Sequence, residues 1–164
     1  MPFDGFSIDW RGEWDESAVA RILVVDDNPA VRNYLRSILE QQETWQVCGE
    51  ARTGGEAIER VHKTPPDVIL LDFQMPDLNG LDVARTLSRV CPGIPILMVT
   101  VHMSTQLEAA AKAVGIKGAC AKSDVGSIVD AVNALLHKET YFPGTCSLTA
   151  GMQPAVSQGS PIKD

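Results

Sequence analysis

The stretch that most constrains this sequence is Asp67-Val68-Ile69-Leu70-Leu71-Asp72, followed by Phe73-Gln74-Met75-Pro76-Asp77-Leu78-Asn79-Gly80. Four consecutive apolar residues, two of them β-branched, suit a strand buried on both faces, as in a parallel sheet. The run stops at a carboxylate, Asp72, and Pro76 with Asn79-Gly80 marks a loop that cannot continue the strand. In open α/β sheets, ligand chemistry sits just beyond the carboxyl ends of the strands. Asp72 is therefore the first candidate for a functional residue. Asn79-Gly80 reads as a turn rather than a site.

The same pattern recurs along the chain. Arg21-Ile22-Leu23-Val24-Val25-Asp26-Asp27 is a short apolar run ending in carboxylates, and Asn28-Pro29 reads as a helix cap with proline in the first turn. Val31, Leu35, Ile38 and Leu39 line one face of that helix, with Arg32, Asn33 and Arg36 facing away. Residues 45–51 form a second strand. Gly54-Gly55 opens a short helix carrying Ala57, Ile58 and Val61, which Pro65-Pro66 ends. After Gly80, a helix with Val83, Ala84, Leu87 and Val90 inward runs to Pro92-Gly93. Residues 95–100 make a fourth strand, and a helix from about Ser104 packs Leu107, Ala110, Ala111 and Val114 up to Gly115. Gly118-Ala119-Cys120-Ala121 is a short fifth strand ending at Lys122, before a last helix near Ser127 to Lys138. Strict strand–helix alternation predicts an α/β, doubly wound, five-stranded parallel sheet with helices on both faces and right-handed crossovers.

Residues 21–138 thus make one domain between two segments of different character. Residues 1–20 hold five acids against one base, Arg11, and place Phe3, Phe6, Trp10 and Trp14 on one face if they are helical. They read as an acidic leader, mobile or packed on its own domain, against the alternative of a docking helix. Residues 139–164 are rich in Gly, Pro, Ser and Thr without an apolar period and read as a loose tail, too short for a helix-turn-helix output domain.

The formal charge of −7 argues against nonspecific binding to nucleic acid or an anionic membrane surface. No apolar run approaches a bilayer span, and no signal-peptide pattern opens the chain. Cys48, Cys91, Cys120 and Cys146 are scattered, which disfavours a disulfide framework or zinc site and makes the cytoplasm the default compartment.

Four strands end in polar groups of a particular kind: Asp26-Asp27, Asp72, Thr100 and Lys122. Carboxylates held together repel one another unless a cation joins them, and a hard divalent ion such as Mg²⁺ meets that need. With a threonine hydroxyl and a lysine ammonium, the set suits a phosphoryl group. There is no GxxxxGK[ST] and no GxGxxG after the first strand, so the phosphoryl group arrives on something other than a nucleotide held by such a loop. A carboxylate beside a metal can itself act as the nucleophile.

These residues together resemble the receiver domain of two-component response regulators, across roughly residues 20–138. The matching positions are Asp26-Asp27, Leu71-Asp72 with Met75-Pro76 and Asn79-Gly80-Leu81 behind it, Leu97-Met98-Val99-Thr100, and Lys122. The resemblance implies a flavodoxin-like fold with strand order 2-1-3-4-5. It implies Asp72 as phosphoacceptor, forming an aspartyl phosphate with a phosphoryl group from a histidine kinase or histidine phosphotransfer protein. It further implies Mg²⁺ held directly by Asp27, Asp72 and the backbone carbonyl of Gln74, with Asp26 acting largely through a metal-bound water. Thr100 and Lys122 would contact the phosphate. The output is a protein–protein contact with an unidentified downstream protein, and a homodimer is compatible with it. Such a module is a phosphoprotein that promotes its own modification, not a dedicated enzyme.

The sequence also departs from the receiver pattern. Cys120 stands two residues before the lysine, where receivers are expected to carry a switching aromatic or His. Ser123 follows the lysine where proline is common, leaving the geometry of that peptide open. Val101 is larger than the usual residue after the threonine, and Gln74 and His102 occupy places expected to tune the lifetime of the phosphate. Lys122-Ser123-Asp124 and Glu139-Thr140-Tyr141-Phe142 resemble receivers of the class joined to helix-turn-helix outputs. The alternatives are a phosphorelay intermediate or phosphate sink, and a non-phosphorylated adaptor. A metal-dependent phosphatase would want a second carboxylate two residues after Asp72, where Gln74 stands.

Overall fold

The structure is a computed structural model and describes residues 19–75 and 79–142. Ten elements alternate strictly: β1 (Ala20–Val25), α1 (Pro29–Leu39), β2 (Trp45–Ala51), α2 (Gly54–Lys63), β3 (Val68–Asp72), α3 (Gly80–Val90), β4 (Ile96–Thr100), α4 (Thr105–Ala113), β5 (Gly118–Ala121) and α5 (Val125–Leu136). The five strands form one parallel sheet in the order β2-β1-β3-β4-β5. This is the doubly wound, flavodoxin-like arrangement expected from the sequence. The aromatic leader up to Ala18, residues 76–78 and the segment from Pro143 onward lie outside the described residues.

β3 and β4 occupy the middle of the sheet, and every residue of each is buried. Alternate side chains feed two cores. Ile22, Val24, Leu70, Leu97, Val99 and Cys120 meet α1 and α5 through Leu35, Leu39, Ile128 and Val132. On the other face Leu23, Val25, Ile69, Leu71, Met98 and Ala119 meet α2, α3 and α4 through Ala57, Val61, Val83, Leu87 and Ala111. With both sheet faces covered, the strands' functional atoms are available only at their ends.

Local sequence fixes where the helices start. Asn28 Oδ1 accepts from the Ala30 N–H at 2.8 Å, with Pro29 opening α1. Thr53, Asn79, Ser104 and Asp124 cap the other helices through their side-chain oxygens. Asn28, Thr53, Ser104 and Asp124 follow closely on the ends of β1, β2, β4 and β5, so those four loops are short, whereas the connection from β3 to the Asn79 cap is longer.

The segment after α5 differs from the expected loose tail over its described part. Lys138 has a left-handed φ of 65°, and the Glu139 N–H returns to the Ala134 carbonyl at 2.9 Å. The chain thereby turns back onto β5. The Ala119 N–H donates to the Tyr141 carbonyl at 2.8 Å, and the Tyr141 N–H to the Lys117 carbonyl at 3.0 Å. Phe142 is buried in the core of the α2–α4 face, with the Lys112 ammonium 4.8 Å from its ring centre. The receiver unit therefore extends past residue 138 to at least Phe142. Two aromatic side chains and two ladder hydrogen bonds are the physical reason.

Candidate functional site

β1, β3, β4 and β5 deliver the candidate residues to one edge of the sheet. Asp26 follows β1, Asp72 ends β3, Thr100 ends β4, and Lys122 follows β5. Asp26, Asp72 and Thr100 are all buried, whereas Asp27 is exposed. Lys122 Nζ lies 2.8 Å from Asp26 Oδ2 and 3.1 Å from Asp72 Oδ1, bridging the two buried carboxylates. Asp26 Oδ1 accepts the Asn28 N–H at 2.9 Å, and Asp72 Oδ1 accepts the Gln74 N–H at 3.3 Å. Thr100 Oγ1 donates to the His102 carbonyl at 3.4 Å, so its hydroxyl is engaged by the loop that follows it.

The electrostatics follow from this crowding. Burial, and next the charge of Asp26, push the Asp72 carboxyl above the usual carboxylate value, against the opposing pull of Lys122 and the Gln74 N–H. Burial draws the Lys122 ammonium down, but hydrogen bonds and charge from Asp26 and Asp72 outweigh it and hold Lys122 above its ordinary value. One ammonium thus offsets part of the charge of three neighbouring acids.

Asp26, Asp27 and Asp72 each offer a carboxylate oxygen within 4.8 Å of the others. The donors are all hard oxygens, which favours a hard divalent cation over a soft one. Asp26 Oδ2 is closed off from solvent, with the Lys122 ammonium beside it at 2.8 Å. Three acids so close together against one ammonium leave negative charge that an additional cation would offset. On these observations the residues present fit a divalent ion.

Several sequence expectations change at this resolution of detail. Cys120 is buried on the α1/α5 face, while Thr100 pairs in register with Ala121 on the opposite face. A strand's side chains alternate, so the β5 residues sharing Thr100's face are Ala119 and Ala121, not Cys120. No aromatic occupies that face of β5, so any switch there works without a large ring. The Cys120 thiol is pushed up to about 12, by burial first and then by the Asp124 charge. The Lys122–Ser123 peptide is trans. Val101 and His102 are exposed, and Val101 with Val31, Tyr34 and Ser123 lines a recess of about 330 Å³ beside Lys122.

Two residues near the site were not singled out by sequence reasoning. Arg32, expected to face away, instead donates to the Asp26 carbonyl at 2.8 Å and pairs with Glu50 at 2.9 Å. Its signal was a guanidinium one turn into the helix that follows the acidic pair, opposite a glutamate near the end of β2. Gly80, read only as part of a turn, lies against the end of β3: a Cβ there would be 2.7 Å from the Asp72 carbonyl oxygen.

The chain belongs to the response regulator receiver domain family, whose model matches residues 22–133. It is a receiver of the kind found in response regulators of two-component systems. Over 143 residues it is 32% identical to the response regulator UvrY of Escherichia coli K12, covering 87% of this chain and 64% of UvrY. Over 93 residues it is 44% identical to a protein-glutamate methylesterase/protein-glutamine glutaminase of Pyrococcus abyssi, covering 57% of this chain but 25% of that protein. The chain thus spans only part of the length of these relatives. Among solved structures, a LuxR-family two-component response regulator from Aurantimonas sp. SI85-9A1 superposes with a TM-score of 0.75 at 29% identity, covering 82% of this chain and 97% of that one. Among the described residues, no helix is long and apolar enough to cross a membrane.

Proposed function

We propose that Asp72 is the phosphoacceptor of this receiver and that the modified form signals through protein contacts. The observation that carries this reading is the Asp72 carboxylate at the end of a fully buried strand, with the Lys122 ammonium at 3.1 Å and two further acids beside it. A histidine kinase or histidine phosphotransfer protein supplies the phosphoryl group. An Asp72 oxygen attacks the phosphorus, the P–O bond forms as the P–N bond of phosphohistidine breaks, and the departing imidazole nitrogen keeps the electron pair and takes a proton. Hydrolysis follows when water attacks the same phosphorus and the carboxylate leaves.

Asp27, Asp72 and the Gln74 carbonyl would hold Mg²⁺, with Asp26 behind a water. When bound, the ion neutralises charge on the phosphoryl oxygens. Lys122, already between Asp26 and Asp72, meets a phosphoryl oxygen without leaving its place. Thr100 exchanges its His102 carbonyl for another phosphoryl oxygen. Exposed Val101, His102 and Gln74 border the path of attacking water and set the lifetime of the acyl phosphate. The altered loop between β4 and α4 then offers a changed surface to a downstream protein in the cytoplasm.

The test is incubation with acetyl phosphate and Mg²⁺, read by intact mass. Wild type gains one phosphoryl group and Asp72→Ala gains none. No gain in wild type removes the phosphoacceptor reading, and a gain retained by the variant removes Asp72 from the role.

A further inference from the structure

The acidic pair is held unevenly. Asp26 is fixed on several sides: its N–H donates to the Ala51 carbonyl at 3.0 Å and its Oδ1 accepts the Asn28 N–H at 2.9 Å. Asp27 is exposed, and among the described residues its carboxylate has no hydrogen bond or ion pair. Where Asp27 points is therefore decided by the backbone that carries it. The peptide unit joining Asp26 to Asp27 has one carbonyl, and that oxygen accepts Arg32 Nη1 at 2.8 Å.

Arg32 is itself braced. Its Nε meets Glu50 Oε1 at 2.9 Å, and Glu50 Oε2 is held by Arg36 through Nη2 at 2.8 Å and Nε at 3.0 Å. The Arg32 side chain is only 12% exposed, while Glu50 at 25% and Arg36 at 39% reach further into solvent. Glu50 adjoins Ala51, the residue that takes the Asp26 N–H. The brace therefore runs from the end of β2, through the first turns of α1, to both sides of Asp26.

We propose that Arg32, braced by Glu50, is a positioning residue for the acidic pair. It fixes the peptide plane from which Asp27 projects and so sets the carboxylate spacing that a divalent cation meets. The inference rests on the metal-assisted phosphoacceptor reading above and adds a residue that touches neither metal nor phosphate. Its signature is a sign. Removing a nearby positive charge tightens a divalent cation by simple Coulomb attraction, whereas releasing the peptide plane weakens it.

The test is Mg²⁺ binding by isothermal titration calorimetry, run well below the melting temperature of each folded variant. Arg32→Met weakens Mg²⁺ about tenfold or more, in the range seen when supports of metal ligands are lost. Arg32→Lys keeps the charge but not the planar fork, and it too binds more weakly than wild type. Arg36→Met, which leaves Arg32 in place and loosens Glu50, weakens binding less and carries the test should Arg32→Met not fold. Unchanged or tighter binding in Arg32→Met, full affinity in Arg32→Lys, or unchanged affinity in Arg36→Met overturns the proposal. A wild type that binds Mg²⁺ and accepts phosphate while these variants match it defeats this inference alone. A wild type that binds no Mg²⁺ defeats the functional reading and this proposal with it.

Discussion

Replacing Gly80 by alanine tests how the phosphoacceptor's backbone is supported. Gly80 opens α3, and its N–H donates to the Phe73 carbonyl at 2.6 Å, tying the helix start to the end of β3. An added Cβ would lie 2.7 Å from both the Asp72 carbonyl oxygen and Phe73 Cα, and 3.1 Å from the Phe73 carbonyl oxygen. Comfortable contacts between carbon atoms begin near 3.5 Å, so roughly 0.8 Å must be found. All three neighbours are backbone atoms, and no flexible side chain can swing aside. Overpacking of this kind costs about 1–3 kcal/mol, while the better helix propensity of alanine returns at most about 1 kcal/mol. A net loss of about 1–2 kcal/mol lowers the melting temperature by several degrees, at about 4 °C per kcal/mol for a domain of this size. The displaced atoms include the carbonyl of Asp72, so phosphorylation by acetyl phosphate slows roughly tenfold or more, as small misplacements of reacting groups do. Gly93→Ala is the control, because nothing lies within 4 Å of a Cβ there. The assay is differential scanning calorimetry with an intact-mass time course. A Gly80→Ala variant that melts and phosphorylates like wild type would refute the reasoning.

Asp72 has a folded-state carboxyl value above its ordinary 3.8, so the native state holds a proton that the unfolded chain releases. Stability therefore falls as pH rises from the ordinary value through the raised folded-state value. Asp72→Asn should melt higher than wild type at pH 7 in EDTA, and the gap should close below the ordinary value. Equal melting at pH 7 would disprove it. Phe142→Ala removes a ring that is 5% exposed and should cost about 3 kcal/mol in urea unfolding; a cost under about 0.5 kcal/mol, the usual scatter of surface changes, would mean the ring is not part of the core. Cys120, with its thiol pushed up to about 12, should resist disulfide reagents at pH 8 until the protein unfolds. Peptide mapping that finds it labelled as fast as half-buried Cys48 in native buffer would contradict its burial.

Much of the fold was legible because the signals are local. The apolar run before Asp72, the proline after Asn28 and the glycine after Val114 each mark an element end through the chain's own chemistry. Strand order was not legible from alternation, since five strand–helix units can be wound in more than one sequence; it came through the resemblance. Arg32 was misread because helical periodicity tells which residues avoid the core, not whether a long side chain reaches sideways to a strand end. Cys120 was misplaced because the face of a strand residue depends on its register against β4, which no spacing within β5 reveals. Tyr141 and Phe142 lacked any period and so resembled tail, although adjacent aromatics just after a helix end were a usable hint.

Those two aromatics bear on a separate hazard. β5 is a four-residue edge strand, and the outer side of an edge strand offers N–H and C=O groups on which another polypeptide can pair. The Ala119 N–H and the Lys117 carbonyl are both taken by Tyr141. A protein cut back to Lys138 would leave that side bare, with the apolar seat of Phe142 open beside it, and should tend to aggregate edge to edge. Residues 139–142 therefore act as a guard against unwanted strand addition at this edge of the sheet.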